Sequence, residues 1–180
     1  AKPFTIIQEG ERGILSTNGK YQDQALLPGL HFIVPVIQKV YVVDTKVRII
    51  NYASRIEASG GTTSGIGAKP AITVLDRRGL PVTIELTVQY RLNSQFAAQT
   101  ISNWGFSWED KIINPVVRDV VRNVVGKYDA ESLPQMRNKI AAEIDEAVRK
   151  NVVGLKNSPA DLQSVQLREI GLPQKVKEQI

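Results

Sequence analysis

From Val82 to Arg91 every second residue is hydrophobic. Val82, Ile84, Leu86, Val88 and Tyr90 fall on one side, and Thr83, Glu85, Thr87, Gln89 and Arg91 on the other. A period of two held this long predicts a strand with one buried and one wet face, as in an antiparallel sheet. Arg77-Arg78-Gly79 reads as the hairpin turn joining it to a strand over Ala71–Leu75. Upstream, Phe4–Gln8 and Gly13–Ser16 flank Glu9-Gly10-Glu11-Arg12 and are expected to pair as a hairpin. Lys39–Tyr52 is strand-rich with a bend near Asp44-Thr45. Leu27-Pro28-Gly29 is a turn signal that runs into the apolar stretch Leu30–Val34, closed by Pro35. That stretch is too short to span a bilayer and apolar enough for a strand. Ser59–Pro70 is rich in glycine and small residues, has no periodicity and reads as a loop.

After residue 92 the period changes from two to about four. Ser94 is the expected N-cap of a short helix ending near Trp104-Gly105. Ser107-Trp108-Glu109-Asp110 has the form of a capping box. It opens a helix with the doublets Ile112-Ile113, Val116-Val117, Val120-Val121 and Val124-Val125, which Pro115 should kink or restart with Asn114 as cap. Doublets every four residues make an apolar surface wider than one core contact needs, so part of it is expected to be an interface. A third helix from Leu133 or Pro134 to Val152 carries Met136, Ile140, Ile144 and Val148 on one side. Leu162–Ile170 reads as a closing strand, and Leu172-Pro173 opens a last helix with Val176 and Ile180 at i,i+4. The fold class is therefore α+β. Residues 1–92 form a β-rich part, 93–172 a helical part with a closing strand, and 173–180 the start of a further helix.

The chain has 180 residues, 42% of them hydrophobic, and a net charge of +5, an ordinary globular composition that leans toward acidic partners such as an anionic membrane surface. Its basic residues form no stripe interleaved with aromatics, so no nucleic-acid partner is expected. With no cysteine there is no thiolate nucleophile or disulfide. The single histidine, His31, lies in the apolar turn segment and lacks a partner for a triad or a metal site. The glycines of Gly60–Lys69 lack the lysine of a phosphate loop, and Asp44-Thr45 lacks the glycine of an aspartic-protease signature. Asp44 reads as a strand-end acid, and Glu143, Asp145 and Glu146 as a solvated helix face. No nucleophile, base and oxyanion site assemble. Neither an enzyme, a cofactor, a metal nor a small-molecule substrate is expected. Arg118 and Arg122, at i,i+4 opposite the valine doublets, suit ion pairing at a contact between helices or subunits, or plain solubility.

Taken in order, several segments resemble the SPFH, or Band 7, superfamily of stomatins, prohibitins and flotillins. They are Gln8–Ile14, Gly19-Lys20, Leu27–Pro35, Val43-Asp44-Thr45 and Val82–Arg91. Asn114–Arg118 with Arg122, Lys127-Tyr128, Leu133 with Arg137, Ser164–Ile170, Leu172-Pro173 and Val176 continue the series. The nearest branch looks like the bacterial prohibitin-like proteins. The glycine-rich loop is longer than the link typical of the family. A hydrophobic N-terminal anchor and a long C-terminal coiled coil are missing, and both ends read as cut from a longer parent.

The resemblance implies a membrane-proximal β-rich part and a coil that starts at Pro173. It also implies a homo-oligomeric ring or cage that organises a membrane patch and regulates membrane proteins, among them proteases of the AAA membrane metalloprotease class. It implies location at a membrane, expected to be the bacterial inner membrane, with the side left open. Leu30, Phe32, Ile33, Val34 and Val36 would face lipid, with a β-core role as the competing reading. Arg118, Arg122, Val176 and Ile180 would lie in subunit contacts. The alternative function is a monomeric lipid- or protein-binding module.

Overall fold

A computed structural model describes residues 2–54 and 66–173. Its strands come first and its helices second, with a last strand returning to the sheet, as the α+β reading expects. Strands β1 (Phe4–Ile7), β2 (Glu11–Thr17), β3 (Lys20–Tyr21), β4 (Gly29–Phe32) and β5 (Gln38–Asp44) make two small sheets, β1–β4 and β3–β2–β5. Strands β6 (Arg48–Ala53), β7 (Ile66–Pro70), β8 (Ile72–Leu75), β9 (Pro81–Leu92) and β10 (Ala160–Gly171) make the main sheet, in the order β10–β9–β6–β7. There β8 pairs with the first part of β9, and β6 with its second.

The apolar side of β9 is realised as expected, but Thr87, from the expected wet side, is buried as well, its hydroxyl donating to Asn51 Oδ1 at 2.9 Å. Val82, Ile84, Leu86, Val88 and Tyr90 are all buried, under the helices. Helices α2 (Asn114–Val125) and α3 (Arg137–Val153) pack against the main sheet, on β8 and β10, while α1 (Ala97–Trp104) packs against β2. Ile140, Ile144, Val148 and Val152 are the buried stripe of α3. Asp44 ends β5, and its carboxylate accepts from the Lys46 amide at 2.8 Å, which turns the chain into β6.

Several local expectations need correcting. β1 and β2 do not form a hairpin. β1 pairs with β4, Phe4 opposite Phe32 and Ile6 opposite Leu30, while β2 pairs with β3 and β5. Gly10, at φ +79°, turns the chain out of β1. The strand then lies over β2 with Ile7 in the space left by Gly13, where an added Cβ would stand 2.8 Å from Ile7 Cδ1. Burying Ile7, worth ~1.5–3 kcal/mol, outweighs the local turn preference. Part of the expected loop is also a strand: Ile66–Pro70 runs parallel to β6, and residues 55–65 lie outside the described part. The last helix, with Val176 and Ile180, falls mostly outside it too.

In the helical half Asn93, one residue before Ser94, is the cap; its side chain accepts from the Gln95 amide at 3.2 Å. The capping box does not form, because the Asp110 carboxylate is drawn to Lys69 at 2.8 Å. Nor is Asn114 a cap. A π-helical segment, Glu109–Ile113, runs straight into α2, with the Asn114 amide bonded to the Glu109 carbonyl. The wider turn accommodates Pro115, which has no N–H to give. The valine doublets are consumed internally. α2 lies between β8 and α3, and of the eight residues Val116 alone is not fully buried. Two neighbours explain the apolar width, and no external interface is required for it.

Candidate functional site

The two-stranded β1–β4 ribbon carries the most exposed apolar surface. Its register sets Phe4, Ile6, Leu30 and Phe32 on one face, since residues directly opposite share a face and alternate residues return to it. All four are exposed, Leu30 at 55%, Ile6 at 56% and Phe32 at 81%. The other face holds Thr5, Ile7 and His31, and Ile7 is buried. The turn after β4 adds Val34, Ile37 and Val36, the last 93% exposed. Gln38 braces that turn: its carboxamide accepts from the Val34 amide at 2.8 Å and donates to Thr17 Oγ1 at 3.2 Å. His31 donates from Nε2 to the Leu27 carbonyl at 2.6 Å, a fastening within the turn.

Of the five residues read as facing lipid, Leu30, Phe32, Val34 and Val36 are therefore exposed together, while Ile33 is half-buried, its amide bonded to the Pro3 carbonyl at 2.9 Å. Sequence reasoning missed Phe4 and Ile6. The signal was present in the alternation Phe4-Thr5-Ile6, but pairing that segment with β2 instead of β4 hid its company. Together these side chains make a contiguous apolar face open to solvent.

A second polar site lies where the π segment meets β6 and β7. A cleft of about 240 Å³ is lined by Arg48, Ile50, Gly67, Lys69, Tyr90, Glu109 and Asp110, among others. Its charges are matched. Arg48 pairs with Glu109 at 2.6 Å, Lys69 with Asp110 at 2.8 Å, and the Tyr90 hydroxyl donates to Glu109. Tyr52, fully buried, donates to Asn114 Oδ1 at 3.0 Å, which also accepts from Arg118 Nε at 3.3 Å. Burial, and next the Glu109 carboxylate, push the Tyr90 phenol above its usual range; burial does the same to Tyr52 against the pull of Arg118. Both hydroxyls stay protonated as donors. The π turn brings Glu109 and Asn114 to one side, where both tyrosines need acceptors. With each base occupied by a cation or a phenol, the cleft acts as a clamp between sheet and helix and holds no free nucleophile.

Arg118 and Arg122 are exposed on α2 and do not share a partner; Arg122 binds Asp119 at 2.6 Å. Val176 and Ile180 lie outside the described residues. Among the described residues no helix is long and apolar enough to cross a membrane, and no three His, Cys, Asp or Glu side chains are placed to hold a metal ion.

The family model described as SPFH domain / Band 7 family matches residues 5–180. The chain is 25% identical over 149 residues to Prohibitin-1 of Schizosaccharomyces pombe, covering 78% of this chain and 46% of the relative. It is 28% identical over 127 residues to Protein HflK of Treponema pallidum, covering 69% and 37%. To Prohibitin-2 of Mus musculus it is 26% identical over 140 residues, covering 77% and 40%. The chain thus spans less than half the length of these relatives. With a family match over nearly its whole length and the α+β architecture described above, it belongs to the SPFH domain / Band 7 family.

Proposed function

We propose that this chain is the membrane-contacting domain of a non-enzymatic scaffold, and that the apolar face of the β1–β4 ribbon rests in the lipid interface. Four large side chains on one side of a two-stranded ribbon, with Val34 and Val36 beside them, are the observation that carries this reading. Leaving them in water forgoes ~1.5–3 kcal/mol each, which interfacial burial recovers. The β-rich part, residues 1–92, is then membrane-proximal and residues 93–172 stand behind it. In the whole protein, copies align through surfaces that include Arg118, Arg122 and the segment with Val176 and Ile180. Rings or cages built this way gain their hold on the membrane from many weak contacts. Such an assembly organises a membrane patch, in the bacterial inner membrane by the nearest branch, and regulates membrane proteins or proteases within it. An AAA membrane metalloprotease is a fitting partner, as the family resemblance implies.

Vesicle co-sedimentation tests the ribbon directly. Leu30→Asp with Phe32→Asp should weaken binding to phosphatidylcholine–phosphatidylglycerol vesicles by more than about tenfold while leaving the melting temperature unchanged, because both side chains already face water. Equal binding by the variant would overturn the reading.

A further inference from the structure

Ile33 donates to the Pro3 carbonyl at 2.9 Å, one step beyond the Phe4–Phe32 pair in the β1–β4 register. Bonded and non-bonded pairs alternate along an antiparallel ladder, so Thr5–His31 and Ile7–Gly29 are the bonded pairs of the ribbon. The N–H and C=O groups of Phe4, Ile6, Leu30 and Phe32 therefore point outward, away from the ribbon's own ladder. Among the described residues they have no backbone partner. The same four residues carry the exposed apolar side chains. A ribbon seated in lipid thus brings unpaired backbone groups along with its side chains, and such groups are costly wherever water is scarce.

The two edges of the ribbon differ. β1 has protein behind it: Ile7 rests against Gly13 of β2, and Phe4 shares an open cleft with Gln38 and Val40 of β5. β4 packs extensively against β1 alone, and a Cβ added at Gly29 would meet nothing within 4 Å. Nor does any charge guard this edge. Residues 27–37 contain no Asp, Glu, Lys or Arg, whereas β5 carries Lys39 and Asp44, β7 carries Lys69 and Pro70, and β10 is bulged.

We infer that the β4 edge pairs with the β4 edge of a second copy of this chain, antiparallel and about a two-fold axis at His31. The inference rests on the lipid contact proposed above and adds the partner that completes it. The strand is self-complementary. Leu30 of one copy stands opposite Phe32 of the other, and each of these two symmetric pairs exchanges both of its outward hydrogen bonds. Half of the ribbon's outward groups are met in this way. The axis is perpendicular to the sheet and residues directly opposite share a face, so both copies turn their apolar sides to the same leaflet. Two ribbons, each marginal alone, become one four-stranded sheet with four large apolar side chains from each copy on a single face.

The chain has no cysteine, so His31→Cys places a single thiol in each copy. In the inferred pairing the two Cα atoms stand about 4.5 Å apart, within reach of a disulfide. Mild oxidation on phosphatidylcholine–phosphatidylglycerol vesicles should then give a covalent dimer. Thr5→Cys is the control: its two copies would lie three strand spacings apart, about 14 Å, and should not cross-link. Adding Leu30→Pro removes an outward N–H without touching the β1–β4 ladder, and should cut the His31→Cys dimer by about tenfold. Leu30→Ala keeps the N–H and should retain most of the dimer. A second readout needs no thiol. In dodecylphosphocholine micelles the wild-type chain should sediment as a dimer and Leu30→Pro as a monomer, with melting temperatures alike. No dimer from His31→Cys, an equal dimer from Thr5→Cys, a dimer indifferent to Leu30→Pro, or a monomeric wild type in micelles would overturn the pairing. The ribbon reading stands in each of these cases while the chain still binds vesicles. Failure of the ribbon reading has a different signature, a wild-type chain that binds no vesicles, and the pairing falls with it.

Discussion

Arg137 and Arg149 stand twelve residues apart on α3, and each grips one bulge of β10. The first donates to the carbonyls of Leu167 and Arg168 at 3.2 and 2.5 Å, the second to those of Leu162 and Gln163 at 2.6 and 3.1 Å. The register of β10 on β9 slips at these same two places, between Leu162 and Ser164 and between Leu167 and Glu169. Twelve helical residues rise about 18 Å, and the five strand residues from 163 to 168 span about 17 Å, so an antiparallel helix meets both bulges in step. Bulging frees carbonyls from the ladder, and guanidinium groups satisfy them. Arg137→Met and Arg149→Met should each cost about 1–2 kcal/mol in urea unfolding, with additive effects at this separation. Losses below about 0.5 kcal/mol would reduce the grips to ordinary surface contacts.

These bulges show which parts of the molecule were readable in the amino-acid order. β9 and the buried stripe of α3 follow from periodicity because each has one core face, and period then maps directly onto burial. The β10 bulges left no such trace, since Gln163 and Arg168 look like any wet strand residue. The β1–β4 pairing was hidden for a related reason. Its partner was chosen by the hole at Gly13 that Ile7 fills, a contact between layers that no local pattern records. The resemblance singled out Leu30, Phe32, Val34 and Val36, which the structure leaves exposed, while Phe4 and Ile6 required the register.

Asp76 should govern acid stability. Its side chain is buried in the turn between β8 and β9 and accepts from the amides of Arg78, Leu80 and Ala130 at 2.9, 2.8 and 2.8 Å. Burial alone would raise its pKa, but the three amides and then the Arg78 charge together outweigh it, so the carboxyl sits below its ordinary value. A depressed folded-state pKa stabilises the native form above the unfolded value, about 4, and the contribution is lost as pH falls through the folded value. Unfolding free energy should therefore drop below about pH 4, and Asp76→Asn should flatten that part of the profile. A slope unchanged in the variant would move the acid sensitivity elsewhere.

Gly13→Ala tests the seat of the ribbon. The new Cβ would stand 2.8 Å from Ile7 Cδ1, 3.1 Å from Leu26 Cβ and 3.2 Å from Val40 Cγ1. Ile7 can swing its end, but the other two contacts belong to β-strand and bridge residues with little room. Overpacking of this kind costs about 1–3 kcal/mol. Because Ile7 ties β1 to β2, vesicle binding should weaken with stability here, unlike the exposed Phe32 substitution. Unaltered stability would mean that the ribbon shifts freely.

Arg118 and Asn114 separate assembly from folding. Asn114 Oδ1 is the acceptor for the buried Tyr52 hydroxyl, so Asn114→Ala strands a phenol O–H at the sheet and should cost about 1–3 kcal/mol. Arg118 is exposed and adds one 3.3 Å contact to the same oxygen, so Arg118→Glu should change stability by no more than about 0.5 kcal/mol. If α2 faces a neighbouring copy at this point, reversing the charge places repulsion in the contact, and sedimentation velocity of the full-length protein should shift toward smaller species. Normal assembly with a lowered melting temperature would invert the assignment, making Arg118 a support for the Tyr52–Asn114 pair rather than a subunit contact.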